Sequence, residues 1–304
     1  MNKNTLVGAV ALLGAALIWG LAFSAQKTGM KYLTPELFTS LRSFIGVAVL
    51  FPAIAVIGRI KKTPLLPADK KQRNHLIAGG IWCGVVLSFA STTQQYGLIY
   101  SSAGKAGFIT SLYIVFVPLA GVFFRHKISC LHWIAVVLAL SGSWLLCSPG
   151  TGDIGKGDIW LLACAFLFTA HILVIGHYAP GSDCLKLSCI QFFTAGVITG
   201  AAAIIKHDTL TCELLHDCLF ALLYCGVCSS GIAFTLQMIS QKYIAGATAS
   251  ILMSMESVFS VVGGYIFLGE RLAGRELAGC LVILLAVISA QLKVGGNPSG
   301  KESV

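Results

Sequence analysis

The chain has 304 residues, of which 56% are hydrophobic and only 11% are charged, and its mean hydropathy is +0.84. An average soluble domain contains about 25% charged residues, so this composition excludes a soluble globule, a disordered chain and a collagen. The formal charge of +9 comes from 21 Lys and Arg against 12 Asp and Glu. Six of these cations fall in the loop 59–73 between two apolar runs, and no polar domain is present, so we expect no nucleic-acid partner.

The apolar residues form ten runs separated by short polar breaks. A run of about 20 residues, rising 1.5 Å per residue as a helix, crosses the hydrocarbon core of a bilayer, which is roughly 30 Å thick. Each run must be helical because backbone polar groups cannot stay unpaired in lipid. The sequence therefore predicts an all-α polytopic membrane protein. Its predicted transmembrane segments, numbered 1 to 10 in chain order, are 5–26, 35–58, 76–98, 103–124, 130–147, 158–178, 185–205, 217–239, 245–268 and 273–292.

The first run, 5–26, ends with small residues that are also typical of a secretory cleavage site. It is longer than the usual apolar core of a signal and nine similar runs follow, so we interpret it as an uncleaved helix. The side that carries the N-terminus also collects the basic loop 59–73 and most other Lys and Arg. This bias predicts an inner (plasma) membrane protein with both termini in the cytoplasm and its cations near anionic lipid.

Five of the eleven cysteines lie within apolar runs, where a free cysteine behaves as a small hydrophobe: Cys83, Cys164, Cys225, Cys228 and Cys280. The C-G-V-C sequence formed by Cys225 and Cys228 has neither the βαβ unit of a redox motif nor the second pair of a metal site. We expect packing roles for these residues, and no metal or cofactor.

A shift of the chain by a fixed number of residues aligns its two halves. A shift of 142 places Gln95 on Gln237 and Gly121 on Gly263, and a shift of 149 places Trp19 on Phe168. Both shifts pair segment n with segment n+5. Because five is odd, the second unit must be inverted in the membrane, as in many transporters. We predict two inverted five-helix repeats, 1–147 and 158–292, and a polar tail, 293–304.

Several motifs resemble those of the drug/metabolite transporter superfamily, in particular its EamA-type ten-helix members. They are Ala16-Leu17-Ile18-Trp19-Gly20, Leu41-Arg42, Gln94-Gln95-Tyr96-Gly97-Leu98, the stretch Ala103 to Pro118, Ser254-Met255-Glu256-Ser257 and Leu268-Gly269-Glu270-Arg271-Leu272. The chain departs from the pattern at Phe124-Arg125-His126-Lys127, where the family often has Gly-Glu-Arg, and at Ser257, where a Pro is common.

The resemblance implies a secondary transporter of small organic solutes, such as amino acids, related metabolites or drugs, that acts by alternating access, with export as the expected direction. It also implies that segments 1 to 4 and 6 to 9 enclose the substrate path. A passive channel or facilitator is the alternative. Proton coupling is left open, as is the oligomeric state, and the expected partners are a small-molecule substrate and membrane lipids.

Charged residues inside the predicted segments are the first candidates for the site, because they are costly in lipid. Glu256 is the acidic residue at mid-membrane depth, and it either contacts substrate and protons or orders the helix packing. Arg42 lies about 10 Å into segment 2 and either snorkels, pairs with Glu36 or holds an anionic group of the substrate. Lys105 opens segment 4 beside a helix N-terminus, which suits either carboxylate binding or an interfacial anchor.

Polar and aromatic residues complete the candidate site. Segment 3 presents Ser88, Ser91 and Gln95 on one face and segment 8 presents Ser230 and Gln237 at equivalent positions, so these faces either line a wet path or bond across helices. Trp19 and His171 would offer stacking and titration, although core packing suits each of them as well. Tyr113 belongs to the motif of segment 4.

The sequence contains no complete set of catalytic residues for the enzyme classes considered. The sequence Gly150-Thr151-Gly152-Asp153 matches an element of intramembrane aspartyl proteases, but a second mid-membrane Asp is missing. The H-E-x-x-H, G-x-S-x-G and P-loop patterns are also missing, so we expect neither hydrolysis nor direct use of ATP.

Overall fold

A computed structural model describes residues 3–101, 103–123, 129–147, 155–268 and 274–292. Across these ranges the chain is almost entirely helical and contains no strand. The predicted motif 269–272, the element 150–153, the basic residues Arg125 and Lys127 and the tail 293–304 lie outside the described residues. The helices are α1 (Lys3–Gly29), α2 (Pro35–Lys61), α3 (Lys70–Tyr100), α4 (Ala103–Thr110), α5 (Tyr113–Phe123), α6 (Cys130–Cys147), α7 (Lys156–Tyr178), α8 (Cys184–Ile205), α9 (Cys212–Asp217), α10 (Leu219–Leu223), α11 (Phe234–Gln241), α12 (Gly246–Met253), α13 (Met255–Leu268) and α14 (Gly274–Leu292).

These helices form the ten predicted membrane segments. Within the described ranges, eight spans are long and apolar enough to cross a bilayer, and α6 and α14 supply two shorter apolar helices. Segments 4 and 9 consist of α4 with α5 and of α12 with α13, and segment 8 consists of α10, a π-helical stretch at Tyr224–Ala233 and α11. The prediction of an all-α polytopic membrane protein is confirmed.

Local signals in the sequence explain where several helices begin. Thr34 caps α2 through its hydroxyl, which accepts from Leu37 N at 3.3 Å, and Pro35 occupies the first turn, where no backbone donor is needed. Asp69 caps α3 by accepting from Gln72 N at 2.9 Å. This cap extends α3 six residues beyond the predicted start of segment 3 at residue 76.

Two segments that we predicted as continuous are broken. Segment 4 breaks between Thr110 and Tyr113, and segment 9 breaks at Ser254. The hydroxyl of Ser111 donates to Phe108 O at 2.7 Å, and that of Ser254 donates to Ile251 O at 2.6 Å. Each serine side chain at a break therefore bonds a backbone carbonyl three residues earlier in its own helix. Under the 142-residue shift both breaks fall at the same place in their repeats.

The packing of the helices follows the inverted repeat. Helix α1 packs against α13 in the other unit, and α7 packs correspondingly against α4 and α5. Helix α3 packs against α7, while α1 packs against the π-helical stretch and α11. Helix α2 packs against α8, its equivalent in the other unit, and α6 packs against its own equivalent, α14. The chain is therefore two inverted five-helix units wrapped around each other.

The contact between α1 and α13 depends on a glycine. A Cβ atom added at Gly20 would lie 2.5 Å from Phe259 Cβ and 2.7 Å from the carbonyl oxygen of Glu256. No real side chain tolerates such distances, so only glycine lets the two backbones approach this closely.

Candidate functional site

A cavity lies between the two units. It is lined by seven residues of each, which are Trp19, Phe23, Gln26, Arg42, Gln94, Thr110 and Tyr113 from the first unit and Phe168, Ile172, Ser229, Phe234, Gln237, Met253 and Glu256 from the second. Sites at the interface of inverted repeats are typical of secondary transporters.

Both broken segments present their breaks to this cavity. Thr110 and Tyr113 flank the break in segment 4, while Met253 and Glu256 flank the break in segment 9. Tyr113 donates a hydrogen bond of 2.7 Å to Oε1 of Glu256 and so joins the two breaks. Irregular backbone at membrane depth is tolerated where it lines a cavity, and the two breaks bring the acidic group of the site to such a place.

Arg42 supplies a buried cation to the same cavity. Only 3% of the residue is exposed, so it does not snorkel to the membrane surface. Its Nη1 donates to Gln26 Oε1 at 2.9 Å and its Nε to Ser230 Oγ at 3.4 Å. Gln26 Oε1 also accepts from Gln95 Nε2 at 2.5 Å. Gln95 therefore helps to hold the amide oxygen that binds Arg42. Over the described ranges Arg42 forms no ion pair.

Glu36, one of the alternative partners of Arg42, is engaged elsewhere. Its Oε1 accepts from Lys206 Nζ at 2.5 Å and from the hydroxyl of Tyr96 at 2.7 Å. The hydrogen bond that Lys206 donates to Glu36, followed by the one that it donates to the Tyr96 hydroxyl, raises the pKa of the Lys206 ammonium above its usual range. Glu36 and Tyr96 belong to the first unit and Lys206 to the second, so this cluster joins the units where α1 ends and α2 begins.

The remainder of the cavity wall is largely apolar and aromatic. The rings of Trp19 and Phe234 meet edge to face with their centroids 4.8 Å apart. Phe168, Ile172 and Met253 complete this wall. A site with a few polar groups in an apolar surround is suited to an organic molecule, because the apolar surface supplies affinity and the polar groups fix orientation.

Five of the nine predicted site residues line the cavity: Trp19, Arg42, Tyr113, Gln237 and Glu256. Ser91 and Gln95 are buried in α3 outside its lining. His171 is fully buried between Phe168 and Phe234, and its Nε2 lies 2.8 Å from Gln191 Oε1.

Lys105 also lies outside the lining. Its Nζ is 2.7 Å from Oδ2 of Asp158, and this oxygen also accepts from Gly155 N at 2.9 Å at the start of α7. Lys105 of the first unit is therefore paired with an acidic residue of the second unit.

Sequence reasoning missed most of the uncharged lining residues. Trp19, Phe23 and Gln26 follow the i, i+4, i+7 spacing of one helix face, and this spacing would have added Phe23 and Gln26 to Trp19. Thr110 and Ser229 gave no comparable signal, because single hydroxyl residues are common throughout the apolar segments.

The residues that the structure describes include no group of three or more His, Cys, Asp or Glu that would hold a metal ion. Cys225 is buried and Cys228 is half-buried, and both are free thiols.

Comparison with known proteins gives a consistent result. The EamA-like transporter family matches residues 6–148 and again 155–290. An uncharacterized transporter of Archaeoglobus fulgidus is 29% identical over 285 residues, which cover 92% of this chain and 84% of that protein. The threonine/homoserine exporter RhtA of Salmonella typhimurium is 28% identical over 200 residues, 61% of this chain and 62% of that protein.

A crystal structure with 18% sequence identity shares the fold, with a TM-score of 0.75 over 95% of this chain and 96% of the other. The two family matches together span nearly the whole chain and correspond to its two five-helix units. The chain is a membrane transporter that belongs to the EamA-like transporter family.

Proposed function

We propose that this protein is a secondary transporter that exports small zwitterionic solutes, namely amino acids or closely related metabolites, across the cytoplasmic membrane. Both termini lie in the cytoplasm in this proposal, as the distribution of Lys and Arg favours. Substrate moves by alternating access between the two inverted units.

One observation carries the proposal: Arg42 and Glu256 line one cavity and are both at least 95% buried, yet neither is ion-paired within the described ranges. A buried charge without a counter-ion is costly in the membrane. A zwitterion brings a carboxylate for the guanidinium of Arg42 and an ammonium for the carboxylate of Glu256. Its binding would therefore offset both costs at once.

One relative supports the same substrate class. It is named as a threonine/homoserine exporter, and its similarity covers 61% of this chain. Threonine and homoserine are zwitterions, so the name agrees with a site that offers opposite charges.

Alternating access is supported by the contacts between the units. Where α1 ends, Lys206 bonds Glu36, Lys105 bonds Asp158, and Thr34 Oγ1 donates to Asp208 Oδ2 at 2.5 Å. At the opposite end, Ser240 donates to Gly8 O at 2.8 Å and Lys186 to Pro64 O at 2.7 Å. These contacts are polar. Breaking them at one end at a time would open the cavity to each side in turn.

Counterflow in proteoliposomes tests the proposal. Vesicles loaded with unlabelled amino acid should accumulate labelled amino acid transiently against its gradient, because a carrier exchanges substrate across the membrane. A passive channel gives no such accumulation. Arg42→Met and Glu256→Gln should each lower this exchange at least about tenfold, since each removes a charge-assisted contact. Arg59→Met and Glu213→Gln remove exposed charges outside the cavity and should leave it unchanged.

Variants that retain wild-type exchange after loss of either buried charge would rule out the zwitterion site. Exchange that is missing from the wild type for every amino acid would rule out the proposed substrate class.

A further inference from the structure

We propose that Gln237 is a specificity residue that accepts a hydrogen bond from an uncharged polar side chain of the substrate. The transported zwitterion would then carry a hydroxyl or an amide beyond its carboxylate and ammonium groups. This inference rests on the proposed function and names the part of the substrate that Arg42 and Glu256 do not reach.

The starting observation is an unpartnered acceptor in the cavity wall. Gln237 lines the cavity and only 2% of the residue is exposed, yet no described group donates a hydrogen bond to its Oε1. A buried acceptor without a donor is costly. A donor on the substrate would satisfy this oxygen.

The inverted repeat places two equivalent glutamines in different surroundings. The equivalent of Gln237 in the first unit is Gln95, whose Oε1 also lacks a donor but whose Nε2 donates to Gln26 Oε1, and Gln95 lies outside the cavity lining. The 149-residue shift places Gln26 on Ile175, which is apolar and belongs to the core beside Met238. The second unit has therefore kept the glutamine without the amide that binds it in the first. One glutamine supports Arg42, and the other faces the cavity.

Position along the helices separates Gln237 from the charged ends of the site. Two other buried hydroxyls that line the cavity, those of Thr110 and Ser229, also lie beside its charged residues in sequence. Ser229 precedes Ser230, which accepts from Arg42, and Thr110 lies three residues before Tyr113, which donates to Glu256. These hydroxyls are placed to assist the carboxylate and the ammonium.

Gln237 lies seven residues beyond Ser230, about 10 Å further along the segment if each residue rises as in an α-helix. Phe234 and Ile172 line the cavity with it, and both are apolar. The group that meets Gln237 is thus the side chain of the substrate, within an otherwise apolar wall. A site that hydrogen-bonds a substrate group discriminates strongly against an analogue that lacks it, because the protein's own polar atom is then left unpaired.

The test compares substrates of matched shape, threonine with valine and asparagine with leucine, in proteoliposomes. We expect the wild type to transport the polar member of each pair with kcat/KM at least about tenfold higher. Gln237→Leu should reduce both ratios to about one, chiefly by slowing the polar member. Ser143→Ala is the matched control, because it also removes an unpartnered buried polar atom but lies in α6 outside the cavity lining. It should leave both ratios unchanged.

The outcomes separate this inference from the proposed function. Equal transport within the pairs, or ratios that persist in Gln237→Leu, would overturn the role of Gln237 while leaving amino-acid transport intact. Transport of none of the four amino acids would overturn both. If Gln237→Leu does not fold, thermal stabilisation of the wild type decides the matter: threonine and asparagine should raise its unfolding midpoint more than valine and leucine do, and equal shifts would refute the inference.

Discussion

The hydroxyl of Tyr113 donates a 2.7 Å hydrogen bond to Glu256 and thereby links the two transmembrane segments that are broken at equivalent positions. Tyr113 begins α5 directly after the break in segment 4, and Glu256 is the second residue of α13 after the break in segment 9. This bond fixes the carboxylate of the site with a group from the other unit. Any movement that separates the two breaks must stretch or break it.

Tyr113→Phe should therefore weaken substrate binding. The substitution removes the donor and leaves the ring in place, so Glu256 loses orientation while the packing remains. A hydrogen bond to a charged group contributes about 1.5–3 kcal/mol, so we expect KM for amino-acid exchange to rise at least about tenfold. Tyr100→Phe is the control, since Tyr100 is 61% exposed. An unchanged KM in Tyr113→Phe would show that the bond has no part in binding.

We predict that Glu256 couples transport of the substrate to a proton gradient. A proton and the ammonium group of the substrate would compete for the same carboxylate, and such competition produces antiport. We expect an imposed proton gradient directed against the substrate flux to accelerate transport by the wild type. Glu256→Gln, assayed at saturating substrate, should lose this acceleration. Acceleration that survives in the variant would remove Glu256 from coupling.

Hydropathy predicted the number and nature of the membrane segments, because a continuous apolar run has few other solutions in a bilayer. It did not predict the breaks at Ser111 and Ser254. A serine hydroxyl that bonds its own helix is compatible with either a straight or a broken helix, and the tertiary environment decides between them.

The candidate site was predictable where lipid makes a residue costly. Arg42 and Glu256 stood out because a charge inside an apolar run demands an explanation. Lys105 carries the same kind of charge but lies at a segment end, where Asp158 of the other unit pairs with it. That partner is 53 residues away in the sequence, and no local pattern encodes it. Gln26, Thr110 and Ser229 are ordinary residues that tertiary packing brings to the cavity.

The cluster of Lys206 with Glu36 and Tyr96 should stabilise the folded protein modestly. Glu36 is buried but the side chain of Lys206 is 49% exposed, so solvent screens the pair and limits its contribution to about 1 kcal/mol. Lys206→Met should lower the midpoint of thermal unfolding in detergent accordingly. Adding Glu36→Gln to this variant should cost little more, because Lys206→Met has already removed the cation that pairs with the Glu36 carboxylate.

The pH dependence of this stabilisation follows from the raised pKa of Lys206. The contribution is fully present below the unfolded pKa of about 10.4 and is lost only as the pH rises through the higher folded value. The difference in unfolding midpoint between wild type and Lys206→Met should therefore be constant from about pH 7 to about pH 9.5. A difference that decreases steadily across this interval would contradict the ion pair.

Substitution of Gly20 should destabilise the protein more than substitution of a typical glycine in a membrane helix, because the backbones of α1 and α13 are in close contact at this residue. In Gly20→Ala the new methyl group would meet Phe259 Cβ at 2.5 Å and Glu256 O at 2.7 Å, and neither atom belongs to a flexible side-chain end. The two helices must separate, at a cost of about 1–3 kcal/mol. Gly14→Ala lies on the same helix with its nearest neighbour, Leu236 Cδ1, at 3.7 Å, and it should be tolerated.

The backbone carbonyl group that the new methyl group would approach belongs to Glu256. Separation of the two helices should therefore also move the Glu256 carboxylate away from Tyr113. Exchange by Gly20→Ala, measured on protein that remains folded at the assay temperature, should therefore fall further than that of Gly14→Ala. Equal exchange and equal unfolding midpoints in the two variants would show that the α1 and α13 contact neither stabilises the fold nor positions the site.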